Sequence, residues 1–73
     1  MHGNPMDAAL LAENRIKDYR QKAGLTQREL AGYLGVTEST ISRYESGETS
    51  PDIAQVKRIA RVLGLKAWWD LYP

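Results

Sequence analysis

The side chains of this chain best suited to recognising a ligand lie between Glu38 and Ser46, and they are hydrogen-bonding groups rather than catalytic ones. At about 100° per residue, Glu38, Ser39, Ser42, Arg43 and Ser46 share one arc of a helix, with Thr40 at its edge. Arg43 offers a planar fork of donors. Glu38 offers two acceptor oxygens, and the serines offer short hydroxyls. The other side of the same helix carries Thr37, Thr40, Ile41, Tyr44 and Glu45, so apolar anchors hold it from behind. Short polar side chains let a helix approach another surface closely, and the major groove of duplex DNA admits a helix of this diameter. There Arg43 would donate two bonds to guanine N7 and O6, or else reach a phosphate. Glu38 would accept from a cytosine amino group, while Ser39 and Ser42 would act through water or a thymine methyl. The alternative for such an arc is a merely solvated face.

Two short helices and one turn would position this arc. Thr26 precedes Gln27 as a cap, with Glu29 three residues on, the spacing of a capping box. Leu25 before that cap and Leu30 after it can close a hydrophobic staple. The pattern repeats with Thr37 as cap, Val36 before it and Ile41 after it. Gly35 lies between them, the residue type that most easily ends a helix in the left-handed conformation. The stretch therefore reads as a helix-turn-helix.

The remaining chain reads as support. Met1–Asp7 is expected to be an arm without lysine or arginine, and residues 8–73 the folded domain. Asp7 would cap a first helix beginning near Ala8, with Ala12, Ile16, Tyr19 and Ala23 as its stripe and Gly24 as its stop. Ser50-Pro51 would open a fourth helix, a cap followed by proline at the first helical position. Ile53, Val56, Ile59, Ala60 and Leu63 would be its buried face, with Lys57, Arg58 and Arg61 solvated. Lys66–Pro73 would form a short fifth helix. Trp68 and Trp69 are adjacent and point about 100° apart, so only one can pack inward. The other, with Leu71 or Tyr72, would form an exposed apolar patch of the kind that marks association surfaces. The fold class is all-α: a compact bundle of five short helices, the second and third forming the helix-turn-helix.

The sequence resembles the lambda-repressor-like, Cro/Xre-type helix-turn-helix family. The resemblance rests on GLTQRELA at Gly24–Ala31, LGVTESTISRYESG at Leu34–Gly47 and PDIAQVKRIARVLGL at Pro51–Leu65. It implies a sequence-specific binder of double-stranded DNA that regulates transcription, most simply a repressor. The helix from about Glu38 to Ser46 would enter the major groove, with Glu38, Ser39, Thr40, Ser42 and Arg43 reading bases. Phosphate contacts fall to Gln27 at the start of the second helix and to Ser46 and Gly47 at the end of the third. The free amides of the second helix's first turn support this, and Arg28 adds charge nearby. Glu48 departs from the family, which often has lysine or arginine in that loop. The resemblance also implies that Arg20 pairs with Glu45, bracing the third helix against the first.

Seventy-three residues allow one domain. The chain has no cysteine, and its single histidine is His2. No glycine-rich phosphate loop or metal-ligand cluster occurs, so an enzyme is not expected, and no cofactor. No apolar run approaches the roughly 20 residues that span a bilayer, and a cytoplasmic location is expected. Net charge is only +1, and Glu38, Glu45 and Glu48 surround Arg43. The competing reading is therefore a protein-interaction module that keeps the fold without binding DNA. A single recognition helix reads few base pairs. A homodimer would place two of them roughly 34 Å apart on a palindromic operator, with Trp68, Trp69, Leu71 and Tyr72 as its contact. A regulatory protein partner is a further possibility.

Overall fold

Among the described residues, four α-helices and a closing 3-10 turn follow in order: α1 (Ile16–Lys22), α2 (Gln27–Leu34), α3 (Glu38–Ser46), α4 (Ile53–Val62) and the turn Trp68–Leu71. The structure, a computed structural model, describes residues 13–73. The fold is all-α. The expected fifth helix is instead the 3-10 turn. It is bounded by Ala67 and Tyr72, both extended. Pro73 disfavours a helical conformation at Tyr72, which leaves too few residues for an α-helical ladder.

The caps of α2 and α3 follow from their sequences. Thr26 Oγ1 accepts from the Glu29 N–H at 3.0 Å, and Glu29 Oε1 accepts from the Thr26 N–H at 2.9 Å. This reciprocal pair satisfies two amides that a bare helix end leaves open. Thr37 Oγ1 accepts from the Thr40 N–H at 3.2 Å. Between the helices Gly35 has φ +70°, and the Val36 N–H reaches back to the Ala31 carbonyl at 3.0 Å. That is a Schellman closure, which favours glycine at the left-handed position.

Two helical segments differ from expectation. Asp7, Ala8 and Ala12 lie outside the described residues, but Glu13–Arg15 are not helical and α1 opens only at Ile16. Asn14 diverts the chain: its Oδ1 accepts from the Ile16 N–H at 3.0 Å, a local bond that competes with a helical ladder. The Arg15 N–H is drawn away to the Leu71 carbonyl at 2.7 Å. The α4 cap is Asp52, not Ser50, with Asp52 Oδ1 accepting from the Gln55 N–H at 2.8 Å. Pro51 therefore precedes the cap. Ile53 stands at the first helical position, past the end of the core, and is 52% exposed rather than buried.

The core is continuous. Ile16 from α1, Leu30, Ala31 and Leu34 from α2, Ile41 from α3, Val56, Ile59 and Ala60 from α4, and Leu71 from the terminal turn meet in one cluster. α2 packs mainly on α3 and α4, α1 touches α3, and the terminal turn packs on α4. The back of α3 packs on α2 and touches α1, and every described helix contributes to the shared core. No helix among the described residues is long and apolar enough to cross a membrane.

Candidate nucleic-acid interface

One residue fixes the inner side of α3. Ile41 is fully buried, with Tyr44 packed partly against the same core. Burying a side chain of that size contributes about 1.5–3 kcal/mol, which commits the opposite arc to the outside. Glu38, Ser39, Ser42, Arg43 and Ser46 are all exposed, and Thr40 is half-buried at the rim. The Thr40 hydroxyl is within 2.9 Å of the Thr37 hydroxyl.

The C-terminal half of α3 is held by three polar ties. Arg20 Nε donates to Glu45 Oε2 at 2.5 Å and Nη2 donates to Oε1 at 3.2 Å, while Nη1 donates to the Leu25 carbonyl at 2.8 Å. Asn14 Nδ2 donates to the Tyr44 carbonyl at 2.8 Å. Gln27 Nε2 donates to Glu45 Oε1 at 2.9 Å. The carboxylate of Glu45 thus gathers α1 and the start of α2 onto α3. With its side chain so engaged, Gln27 can offer a phosphate an amide hydrogen only from the backbone or from the second N–H of its amide group. Arg28, one residue on, is exposed.

At the far end of α3 the loop folds onto itself. The Ser46 hydroxyl donates to the Arg43 carbonyl at 3.2 Å and accepts from the Glu48 N–H at 3.3 Å. Gly47 ends the helix at φ +80°. Arg43 Nε sits 3.2 Å from Glu48 Oε2, an open ion pair with side chains 57% and 67% exposed. The departure at Glu48 therefore lands on the arginine of the outer arc.

Three of the four C-terminal residues adjoin, since Trp68 meets both Trp69 and Tyr72 edge to face. Leu71 is completely buried and cannot join a contact patch, a correction to the expected set. Its place on the turn aims it at α4, where the core claims it. Trp68 is half-buried and meets Trp69 edge to face at 5.7 Å between ring centres, leaving Trp69 63% exposed. Tyr72 is half-buried, and burial raises its phenol above the usual value.

Three interactions are not legible in the sequence. Asn14 falls inside the expected first helix; an asparagine two residues before Ile16 is the signal for a break there. Arg58 is expected to be solvated, yet its Nη1 donates to Gln55 Oε1 at 3.0 Å and its Nη2 to the Leu34 carbonyl at 3.3 Å. It serves the open C-terminal carbonyls of α2, a role no spacing rule reveals. Glu48 as partner of Arg43 depends on the loop's path.

The fold and the outward arc define a helix-turn-helix domain of the DNA-binding class. A helix-turn-helix family model matches residues 16–67, and the chain belongs to that family, the Cro/Xre type of regulators. An uncharacterized HTH-type transcriptional regulator of Methanothermobacter thermautotrophicus is 44% identical over 57 residues, 78% of this chain and 83% of that protein. The cryptic phage CTXphi transcriptional repressor RstR of Vibrio cholerae is 35% identical over 52 residues, 71% of this chain and 47% of that protein. Among solved structures, a Bacteroides fragilis protein thought to bind DNA superposes with a TM-score of 0.78 at 31% identity, covering 84% of this chain and 97% of that one. The structure of FeII HppE with substrate superposes with a TM-score of 0.73 at 34% identity, covering 90% of this chain but 35% of that one. Most of that longer protein therefore has no counterpart here.

Proposed function

We propose that the protein is a sequence-specific repressor that inserts α3 into the major groove of an operator and occludes a promoter. The observation that carries this reading is the exposure of Glu38, Ser39, Ser42 and Arg43 together, on the side of α3 opposite Ile41. Arg43 would read a guanine, Glu38 a cytosine, and Ser39, Thr40 and Ser42 the neighbouring edges. The backbone amides at the start of α2, with Gln27 and Arg28, would hold one phosphate run. Ser46 and the amide of Gly47 would hold another. RstR is named as a repressor, which favours that sign of regulation. Two copies on a palindrome would set the half-sites one helical turn apart. A regulator of chromosomal or phage DNA of this kind would work in the cytoplasm.

Fluorescence anisotropy of a labelled duplex pool tests the binding itself. Affinity should fall steeply between about 50 and 200 mM salt as phosphate counterions are released. The pairing of Arg43 with Glu48 favours a second reading, a protein-interaction module whose outer arc carries little net charge. That reading expects no duplex binding and no such salt slope. Sedimentation with and without bound duplex tests the dimer, and a monomer under both conditions excludes it.

A further inference from the structure

On α4, away from the outer arc of α3, Lys57 and Arg61 stand four residues apart and face the chain that leads into the terminal turn. Together with Lys66 they rim a groove of about 270 Å³ whose apolar surface comes from Leu65, Trp68 and Trp69. Among the described residues no acidic side chain lines it. None of the three cations has an ion-pair partner among the described residues, where the two pairs are Arg20–Glu45 and Arg43–Glu48. Trp69, the largest exposed apolar side chain described, projects beside these charges.

We propose that this groove is a docking site for an acidic peptide segment of another protein, one that carries an aliphatic side chain among its carboxylates. The aliphatic group would lie against Leu65 and the indoles, and the carboxylates would meet Lys57, Arg61 and Lys66. Charge decides against a second copy of this chain. A two-fold contact brings the same patch of both subunits together, here three cations against three, and like charges in apposition oppose association. Geometry decides against nucleic acid. Successive bases stack on aromatic faces, whereas Trp68 and Trp69 meet at 78° and offer no pair of parallel platforms. The groove is built by α4 and the terminal turn, while α3 packs on α2 and α1. A partner seated there would leave the outer arc of α3 open, so docking and DNA binding are compatible.

The chain's two tryptophans both line the groove, so intrinsic fluorescence reports on it directly. The full chain is titrated with a short peptide of alternating glutamate and leucine, with the lysine–leucine counterpart and with single-stranded oligothymidylate. The expected result is a saturable emission shift with the glutamate–leucine peptide only, weakening as salt screens the exposed charges. The double variant Lys57→Glu/Lys66→Glu, at two exposed positions, should retain its helical circular dichroism and lose the shift. Trp69→Ala should weaken peptide binding by calorimetry. No saturable shift, an equal shift with oligothymidylate, or undiminished binding by the double variant would overturn the proposal. A concentration-dependent shift of the protein alone would overturn it in favour of self-association.

Discussion

The carboxylate of Glu45, in the last turn of α3, is gripped by the guanidinium of Arg20 from α1 through two hydrogen bonds, with the side chains only 5% and 9% exposed. Removing one member of so enclosed a pair strands the other charge away from water, at a typical cost of about 3–5 kcal/mol. Glu45→Ala would also free Gln27 Nε2. Its thermal midpoint should fall by more than 10 °C, on the scale of about 4–8 °C per kcal/mol for a domain this size. An unchanged midpoint would show that the pair is not a brace.

The second ion pair should behave differently. Arg43 and Glu48 are more than half exposed, and open pairs are worth about 0–1 kcal/mol. Glu48→Ala should therefore leave the melting midpoint nearly unchanged. On the proposed function it frees Arg43 and removes a negative charge beside the duplex, so DNA affinity should rise. Anisotropy titration of wild type and variant on one duplex checks this, and an unchanged or weaker affinity contradicts it.

Asn14 offers a third test. Asn14→Asp keeps the acceptor for the Ile16 N–H but removes the donor that reaches the Tyr44 carbonyl. The expected loss is about 1–3 kcal/mol, that of leaving a partly buried bond unmade. Urea unfolding reads it as a lower midpoint with an unchanged slope.

The alkaline limb of stability should depend on Tyr72. Burial raises its folded-state phenol above the usual value of 10.0. The neutral phenol's contribution is therefore fully present below about pH 10 and is lost as pH climbs through the raised folded value. Relative to wild type, Tyr72→Phe should gain stability progressively above about pH 10. A difference between the two proteins that does not change with pH contradicts the assignment.

The central half of the chain was legible because its signals are local. Thr26 with Glu29, Gly35, and Thr37 ahead of Ile41 each act within a few residues, and the structure realises each of them. The pairing of Arg20 with Glu45 spans 25 positions and came from family resemblance rather than from any local pattern. Where two local signals compete, the residues alone do not say which prevails. Asp52 outbids Ser50 as the α4 cap, and Asn14 interrupts a stripe that looked continuous. The fate of the C-terminus depended on tertiary packing: adjacency excluded burying both tryptophans in one place, but only the fold decided that Leu71 fills the core and Trp69 stands out.

The most direct test of the account is selection of bound sequences from random duplexes, run in parallel with the wild-type chain and Arg43→Ala. The wild type should enrich a recurrent motif containing guanine. The variant should keep the rest of that motif and lose discrimination at one position, at a cost of about 1–3 kcal/mol on the preferred site. No enrichment by the wild type, or an identical motif with and without Arg43, would contradict the claim that the outward arc of α3 reads DNA.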